Sequence, residues 1–452
     1  MRDLYDRSSR RPLCLPKLWL IQHLLSSELS KCKTNDDYIS LLSHPVLQKA
    51  PFLVPFRRRL TLFNKIVTTD RASVQGSGFN NLQPGIPVSI TRGRILEDGL
   101  RYLNSLGSNL RKRIVVSYVN ETGARETGVD VGGMFKEFWC DLSRLAFDPN
   151  WGLFRVTEEG KDAYLYPNPS SGLVHGHDHV VLFQFLGRIL GKALYEGITI
   201  QPQFAHFFLS FLRGDYNFLH MMSDLSTMDQ QLYNNLMFLK TYQGDATDLC
   251  LTFTITNEAF GTTREIPLLP NGANIDVTNN NKQRYIALVA KHHVCDAVRT
   301  QSEAFTRGLN DVIPLKWLQI FNEPELQVLI SGSAASSIDV DDLKSHTKYT
   351  GGYTLLDRNV YRFWNIVKKM TVEEQGQLLK FVTSCERPPP LGFQSMNPPF
   401  TIQRVGIMND GDKLPSAATC FNILKLPTYS SEKVMKDRLL FSIKSGAGFE
   451  LT

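Results

Sequence analysis

Two adjacent glycines, Gly351 and Gly352 in "HTKYTGGYTLLD" (346–357), divide this chain more sharply than any other feature. They stand between two stretches of helical periodicity, and glycine accepts backbone angles that other residues resist. The pattern leaves two readings open: a helix cap with a turn behind it, or a hinge between two lobes. On the C-terminal side of the pair lie about 100 residues of mixed helical and strand periodicity, a usual domain size. The N-terminal side is far longer. At 452 residues the chain exceeds what one ordinary core organises, so two or three domains are expected.

The C-terminal segment carries clear local signals. "DRNVYRFWNIVKKM" places Val360, Phe363, Trp364 and Val367 on one helical face. Thr371 and Glu374 form a capping box ahead of "VEEQGQLLKFV", and "ERPPPLGF" ends that helix because prolines cannot supply its amides. "FTIQRVGI" and "FNILKL" read as strands, and "SSEKVMKDRLLFSIKSG" as a final helix.

The longer body alternates helices with short strands. "IVVSYVN" (114–120) reads as a strand, "GGMFKEFWCDLSRLAF" as a helix with Met134, Phe138, Leu142 and Leu145 on one face, and "DHVVLFQFLGRILGKALYEG" as a buried helix. "PKLWLIQHLLSSELSK" has helical spacing through Leu18, Ile21, Leu24 and Leu25, and "SVQGSGFNNLQPGIP" (73–87) reads as a mobile loop. Residues 225–277 differ in character: a short amphipathic helix to Gly244, the alternating "LCLTFTITNE", then the turn-rich "NGANIDVTNNNK". They read as a small subdomain inserted into the larger one.

Composition excludes several classes. At 42% apolar and 21% charged residues the chain is far from a disordered profile. No apolar run approaches a membrane span, and the N-terminus reads as no signal peptide. A soluble intracellular protein, cytoplasmic or nuclear, is expected. Residues 1–70 hold 12 Lys or Arg against 6 Asp or Glu, which accounts for the whole net charge of +6. An even body argues against a general nucleic-acid binder. The basic run Arg57–Arg59 reads as a solvated segment, with RNA or an acidic partner as the lesser alternative.

Seven cysteines at 14, 32, 140, 250, 295, 385 and 420 include no CxxC pair, so neither a disulfide framework nor a zinc cluster is indicated. Cys140, Cys250 and Cys295 lie in apolar periodic segments and are expected in the core. Cys385 ends an amphipathic helix and is expected to be packed. Cys420 differs: it comes after the small, turn-prone run "PSAAT" and precedes a strand, a setting that leaves a thiol within reach. No histidine, and no cation besides Lys413 and Lys425, lies within ten residues of it. Proteolysis normally requires a paired base. Thiol–thioester exchange asks for less, because the leaving group is itself a thiolate. A lone cysteine of this kind fits acyl transfer between thiols better than hydrolysis. "HGHDH" puts His175, His177 and His179 at a spacing of two, which on a strand could hold zinc, but loop histidines are the commoner outcome. "GRILGKALYEG" lacks a phosphate-loop frame. No cofactor and no metal is called for.

The stretch "LPSAATCFNILKLPTYSSEKVMKDRLLFSIKSGAGFELT" resembles the end of a HECT-type ubiquitin ligase, and "RPPPLGF", "FVTSC", "HTKYTGGY", "ELQVLISG", "DVTNNNK", "FLGRILGKALYEG", "YPNPSSG" and "GVDVGGMFKEFW" extend the resemblance backwards in the right order across residues 90–452. Among such ligases it is most similar to the plant and animal subgroup whose catalytic half comes after an IQ-type segment. The resemblance implies an α+β, bilobal fold. A mainly helical N-lobe would span 61–348 behind a helical, basic extension (1–60), and a compact α+β C-lobe would span 353–452. Tyr349, Thr350, Gly351 and Gly352 would form the flexible hinge between them.

It implies as well that Cys420 accepts ubiquitin from a ubiquitin-conjugating enzyme and passes it to lysines of protein substrates, with no nucleic acid or membrane as partner. Thr419 and Asn422 would shape the thioester pocket. Leu236, Leu239, Tyr242 and Leu251 of the 225–277 subdomain would contact the conjugating enzyme, although that subdomain's own core is an equal reading. Leu424 and Leu426, if outward, would grip donor ubiquitin; core packing is an equal reading for them too. Phe449, fourth from the end, stands where the family often has a phenylalanine needed for efficient ligation. Many relatives carry histidine two residues before the cysteine, and here that position is Ala418. The alternative function is a non-catalytic module that binds ubiquitin or the conjugating enzyme.

Overall fold

The computed structural model describes residues 20–21, 23–76, 84–120, 133–157, 163–214, 224–259, 262–332, 338–383, 385–396, 398–406 and 413–445, the side chains of Gly133, 257–259, 262–264, Cys420 and Ser445 excepted. The chain forms two compact units, each assembled from separated segments. One comprises Met1–Thr69, Ala146–Gly191 and Pro202–Leu326; the other comprises Asp70–Leu145, Lys192–Gln201 and Gln327–Thr452. Among the described residues no helix is long and apolar enough to cross a membrane.

The first unit is organised by aromatic side chains. Phe147, Phe154, Phe204, Phe208 and Phe305 are all buried and meet at ring-centroid distances of 5.1–6.4 Å, mostly edge to face. That is the geometry the aromatic quadrupole favours. Beside them the helices His179–Glu196 and Arg299–Val312 cross at a pair of glycines: a Cβ on Gly187 would collide with the Phe305 carbonyl, and one on Gly308 with that of Gln184. Strands β3 (Phe154–Val156) and β4 (Leu165–Pro167) pair antiparallel.

Within 225–277 lie helix Gln230–Thr241, capped by the Asp229 carboxylate on Leu232 N (2.7 Å), and the antiparallel hairpin β5 (Thr254–Ala259) and β6 (Thr262–Pro267).

Several expectations are corrected in this unit. Arg59 is not solvated: it is 2% exposed, lies on helix Phe56–Gln75, and donates to Glu325 Oε2 (2.7 Å) and to the carbonyls of Val54 and Ile320. Burial of this charge is tolerable because its donors are paired with a carboxylate and two carbonyls. The periodicity of Leu18–Leu25 does not become one helix within the described residues: helix Ser26–Lys31 starts after Leu25, whose backbone is left-handed (φ 63°). Cys250 is exposed and left-handed (φ 50°) rather than core, because it ends a 3-10 turn. His175 and His179 serve local structure: His175 Nε2 donates to the Trp151 carbonyl (2.8 Å), and His179 Nδ1 shares a hydrogen bond with Ser171 Oγ (3.0 Å).

In the second unit β1 (Ile86–Thr91) and β2 (Ile114–Val119) run parallel. Helix Gly133–Ala146 buries Phe138, Trp139 and Leu142 completely. A four-stranded sheet has the order β7 (Lys348–Thr350), β8 (Thr401–Arg404), β10 (Ile423–Leu426), β9 (Ser416–Ala418); β7, β8 and β10 are parallel, and β9 is antiparallel to β10. Helices Arg358–Lys369, Val372–Thr383 and Glu432–Ser445 contribute Val360, Phe363, Trp364, Val367, Leu378, Leu379, Met435 and Leu439 to one core with Ile402, Leu424 and Leu426 of the sheet. The capping box forms as expected, with Thr371 N on Glu374 and Glu374 N on Thr371.

The glycine pair is not flanked by a free tether on its N-terminal side. Tyr349 and Thr350 are ladder residues of β7, facing Ile402 and Gln403, and Trp364 Nε1 donates to the Tyr349 hydroxyl (3.0 Å). Ile338 and Leu343 upstream belong to the same core. Gly351 (φ 68°) and Gly352 (φ 95°) then turn the chain out of the strand.

Candidate functional site

The site is the tip of a hairpin. Ala418 pairs with Ile423, Ala417 with Leu424 and Ser416 with Lys425, leaving Thr419, Cys420, Phe421 and Asn422 as the connection. Thr419–Phe421 form one 3-10 turn, closed by Asn422 N on the Thr419 carbonyl (3.2 Å). The chain rejoins β10 through a residue of left-handed backbone, and Asn422 provides it at φ 53°, ψ 41°. Asparagine is one of few non-glycine residues that adopt this conformation readily.

Asn422 is 2% exposed and holds the loop from several directions. Its Nδ2 donates to the Pro398 carbonyl (2.6 Å), and its own carbonyl accepts from Thr401 N (2.9 Å), which ties the tip to the start of β8. Its Oδ1 accepts from Lys136 Nζ (2.7 Å), and the same ammonium donates to the Thr419 carbonyl at 3.3 Å. Phe421, next along the turn, is 44% exposed, so the loop presents a large apolar ring to solvent. The backbone of Cys420 lies in this turn; its side chain and the whole of Phe449 fall outside the described residues.

The remaining residues singled out in the sequence divide between surface and core. Thr419 is half-buried beside Cys420. Leu424 and Leu426 are fully buried beneath the hairpin, so neither offers a surface to ubiquitin; of the two faces of β10 they occupy the inner one. On the small subdomain Leu236 and Leu239 are 4% and 3% exposed and belong to its core, which removes them as a docking surface. Phe238 on the same helix is 59% exposed, with its ring centroid 5.5 Å from that of Tyr242; Tyr242 and Leu251 are half-buried. Cys295 and Cys385 are buried as expected, while Cys140 is half-buried and lines a cavity of about 140 Å³ with Ser143, Thr199 and Lys380.

Sequence reasoning missed Lys136 and Phe238. Phe238 had a legible signal, since it falls between the Leu236 and Leu239 positions of a short amphipathic helix. Lys136 had none: its partner lies 286 residues away.

A family model described as HECT-domain (ubiquitin-transferase) matches residues 140–452. The chain is 42% identical over 441 residues to E3 ubiquitin-protein ligase UPL6 of Arabidopsis thaliana, covering 95% of this chain and 42% of that protein. It is 37% identical over 476 residues to human Ubiquitin-protein ligase E3B, covering 99% of this chain and 44% of that protein. It is 36% identical over 421 residues to E3 ubiquitin-protein ligase HUL5 of Saccharomyces cerevisiae, covering 90% and 45%. The chain thus spans less than half the length of these relatives. With more than half of its length matched by the family model, and an α+β architecture that includes the cysteine-bearing hairpin, the chain belongs to the HECT-domain (ubiquitin-transferase) family.

Proposed function

We propose that this chain carries the catalytic part of a HECT-type ubiquitin–protein ligase, with Cys420 as the acyl acceptor. The observation that carries the reading is the position of Cys420 in a four-residue hairpin tip whose geometry is fixed by Asn422, inside the region matched by the family model. A conjugating enzyme brings ubiquitin as a thioester. The Cys420 thiolate attacks the ubiquitin C-terminal carbonyl; a new C–S bond forms, the old one breaks, and the conjugating enzyme's thiolate leaves. A substrate lysine amine then attacks the second thioester, forming the C–N bond, releasing the Cys420 thiolate and giving up a proton to solvent. The thiol exchange is near thermoneutral and depends on alignment more than on a base.

Within this proposal the C-lobe begins by Ile338 rather than at 353, because Ile338, Leu343 and Tyr349 belong to its core and sheet, and motion between it and the N-lobe lets one sulfur face two partners in turn. The 225–277 subdomain receives the conjugating enzyme, with Phe238 and Tyr242 as its apolar contact. An exposed aromatic ring backed by a second, half-buried one is the kind of anchor that dominates protein interfaces. Phe449 acts in the second transfer, so Phe449→Ala leaves the thioester intact and slows its passage to lysine. The test is incubation with a charged conjugating enzyme. A ubiquitin adduct removed by reductant, absent in Cys420→Ala and converted to a reductant-stable ester in Cys420→Ser, is expected. Binding without any adduct refutes the proposal in favour of a non-catalytic module.

A further inference from the structure

The hairpin tip is held from a distant part of the sequence by a cation. Lys136 lies on helix Gly133–Ala146, which complete burial of Phe138, Trp139 and Leu142 anchors in place. Its neighbour Glu137 is committed to Arg92 (2.8 Å), and Arg92 stacks 4.1 Å over the ring of Tyr118. The Lys136 ammonium donates to Asn422 Oδ1 and to the Thr419 carbonyl. That carbonyl belongs to the peptide unit joining Thr419 to Cys420. The contact therefore fixes the peptide that bears the sulfur and delivers a full positive charge to it. Such charge-assisted hydrogen bonds are stronger than neutral ones.

Among the described residues, the charged side chains of the helix packed against the tip are committed elsewhere. Helix Val372–Thr383 packs against the 3-10 turn and carries Glu373, Glu374 and Lys380. Glu373 accepts from Gln377, Glu374 caps its own helix and lies 3.7 Å from Lys444, and Lys380 pairs with Glu386 (2.7 Å). On the hairpin, Lys413 and Lys425 flank the tip, and Ala418, two residues before the cysteine, carries no ionisable group.

We propose that Lys136 is a positioning residue for Cys420: in the arrangement of the lobes described here it holds the peptide that carries the acceptor sulfur in one orientation and places a cation on that peptide's carbonyl. A cation close to a thiol favours its thiolate, and the exchange rate rises with the thiolate fraction, an effect partly offset by the lower intrinsic nucleophilicity of a more acidic thiol. The inference rests on the reading of Cys420 as acyl acceptor, but its first readout does not require ligation.

The experiment measures iodoacetamide alkylation of Cys420 in the full chain by peptide mass spectrometry, from about pH 6 to about pH 10. Lys136→Met is expected to move the midpoint up by about one pH unit, so that alkylation at neutral pH slows roughly threefold, the smaller thiolate fraction being partly offset by its greater nucleophilicity. Lys136→Arg restores most of the rate. Lys136→Gln keeps a donor for Asn422 without the charge, and is expected to behave as Lys136→Met while melting like the parent chain. In parallel, thioester formation from a charged conjugating enzyme slows to a similar degree in both neutral variants and recovers at high pH. Unchanged alkylation midpoints in both neutral variants overturn the proposal, whether or not the chain ligates. A shifted midpoint in a chain that never accepts ubiquitin refutes the ligase reading instead and leaves the action of Lys136 on the sulfur standing.

Discussion

Gly351 lies so close to Arg404 that a Cβ at position 351 would sit 2.7 Å from the Arg404 carbonyl oxygen. The contact joins the end of β7 to the end of β8, and the glycine is left-handed there (φ 68°). Gly352 is left-handed too (φ 95°), but a Cβ there would meet nothing within 4 Å. The two glycines therefore respond differently to substitution. Gly352→Ala carries only backbone strain, about 1–2 kcal/mol. Gly351→Ala adds a backbone collision, so its loss of stability in urea unfolding is expected to be the larger. Equal losses would show that the sheet edge yields freely.

Phe238 and Leu236 separate docking from folding on one helix. Leu236→Ala empties a core position and is expected to cost about 2–5 kcal/mol of stability. Phe238→Ala removes an exposed ring and is expected to leave the melting temperature nearly unchanged while slowing ubiquitin transfer from the conjugating enzyme roughly tenfold, the scale of an interface anchor. Transfer at the parental rate in Phe238→Ala would remove the helix from the docking surface.

Arg59, buried, and Glu325, half-buried and 266 residues away, form a bidentate pair. Arg59→Met leaves the Glu325 carboxylate facing a dry surface and is expected to destabilise the chain by about 3–5 kcal/mol. Arg59→Met combined with Glu325→Gln is expected to recover part of that loss, because the orphaned charge is gone. Chemical denaturation of the two variants tests this, and a double variant less stable than Arg59→Met would contradict it.

Stability should fall on mild acidification. Burial pushes His179 below the usual histidine range, helped by His175 and His177; burial likewise lowers His292, and lowers His293 with help from His292. Above the ordinary histidine range both folded and unfolded chains hold these rings neutral, and there is no effect. As pH drops through about 6.5 the unfolded chain takes up protons first, so the folded state loses stability until its own lowered values are passed. The melting temperature is expected to decline from about pH 7 to about pH 5, with His293→Gln showing a shallower decline. A flat profile in the parent chain would exclude this linkage.

Local periodicity made much of the C-terminal fold readable. Val360, Phe363, Trp364 and Val367 share a helical face in sequence and are all buried. Thr371 and Glu374 announce a cap that forms with the expected hydrogen bonds. These features depend on neighbours a few residues apart, where backbone geometry and side-chain spacing are fixed by the helix itself. Direction was harder to read. The alternation of "FNILKL" defines two faces of β10, but only the helices packed beneath it make Leu424 and Leu426 the inner one. The same holds for Leu236 and Leu239, which share their helix with an exposed Phe238.

By itself the sequence determined where the C-terminal helices and the strands around residues 401–404 and 423–426 form, which cysteine stands in a turn, and which family the order of motifs resembles, because each rests on short-range spacing or residue type. Tertiary structure alone decided that Tyr349 and Thr350 are ladder residues of a sheet, that Arg59 is a buried ion-pair partner, and that Lys136 reaches the peptide bearing Cys420. Those contacts join residues from tens to hundreds of positions apart. Their energies come from burial and from pairing charges in a dry interior, which no local pattern encodes.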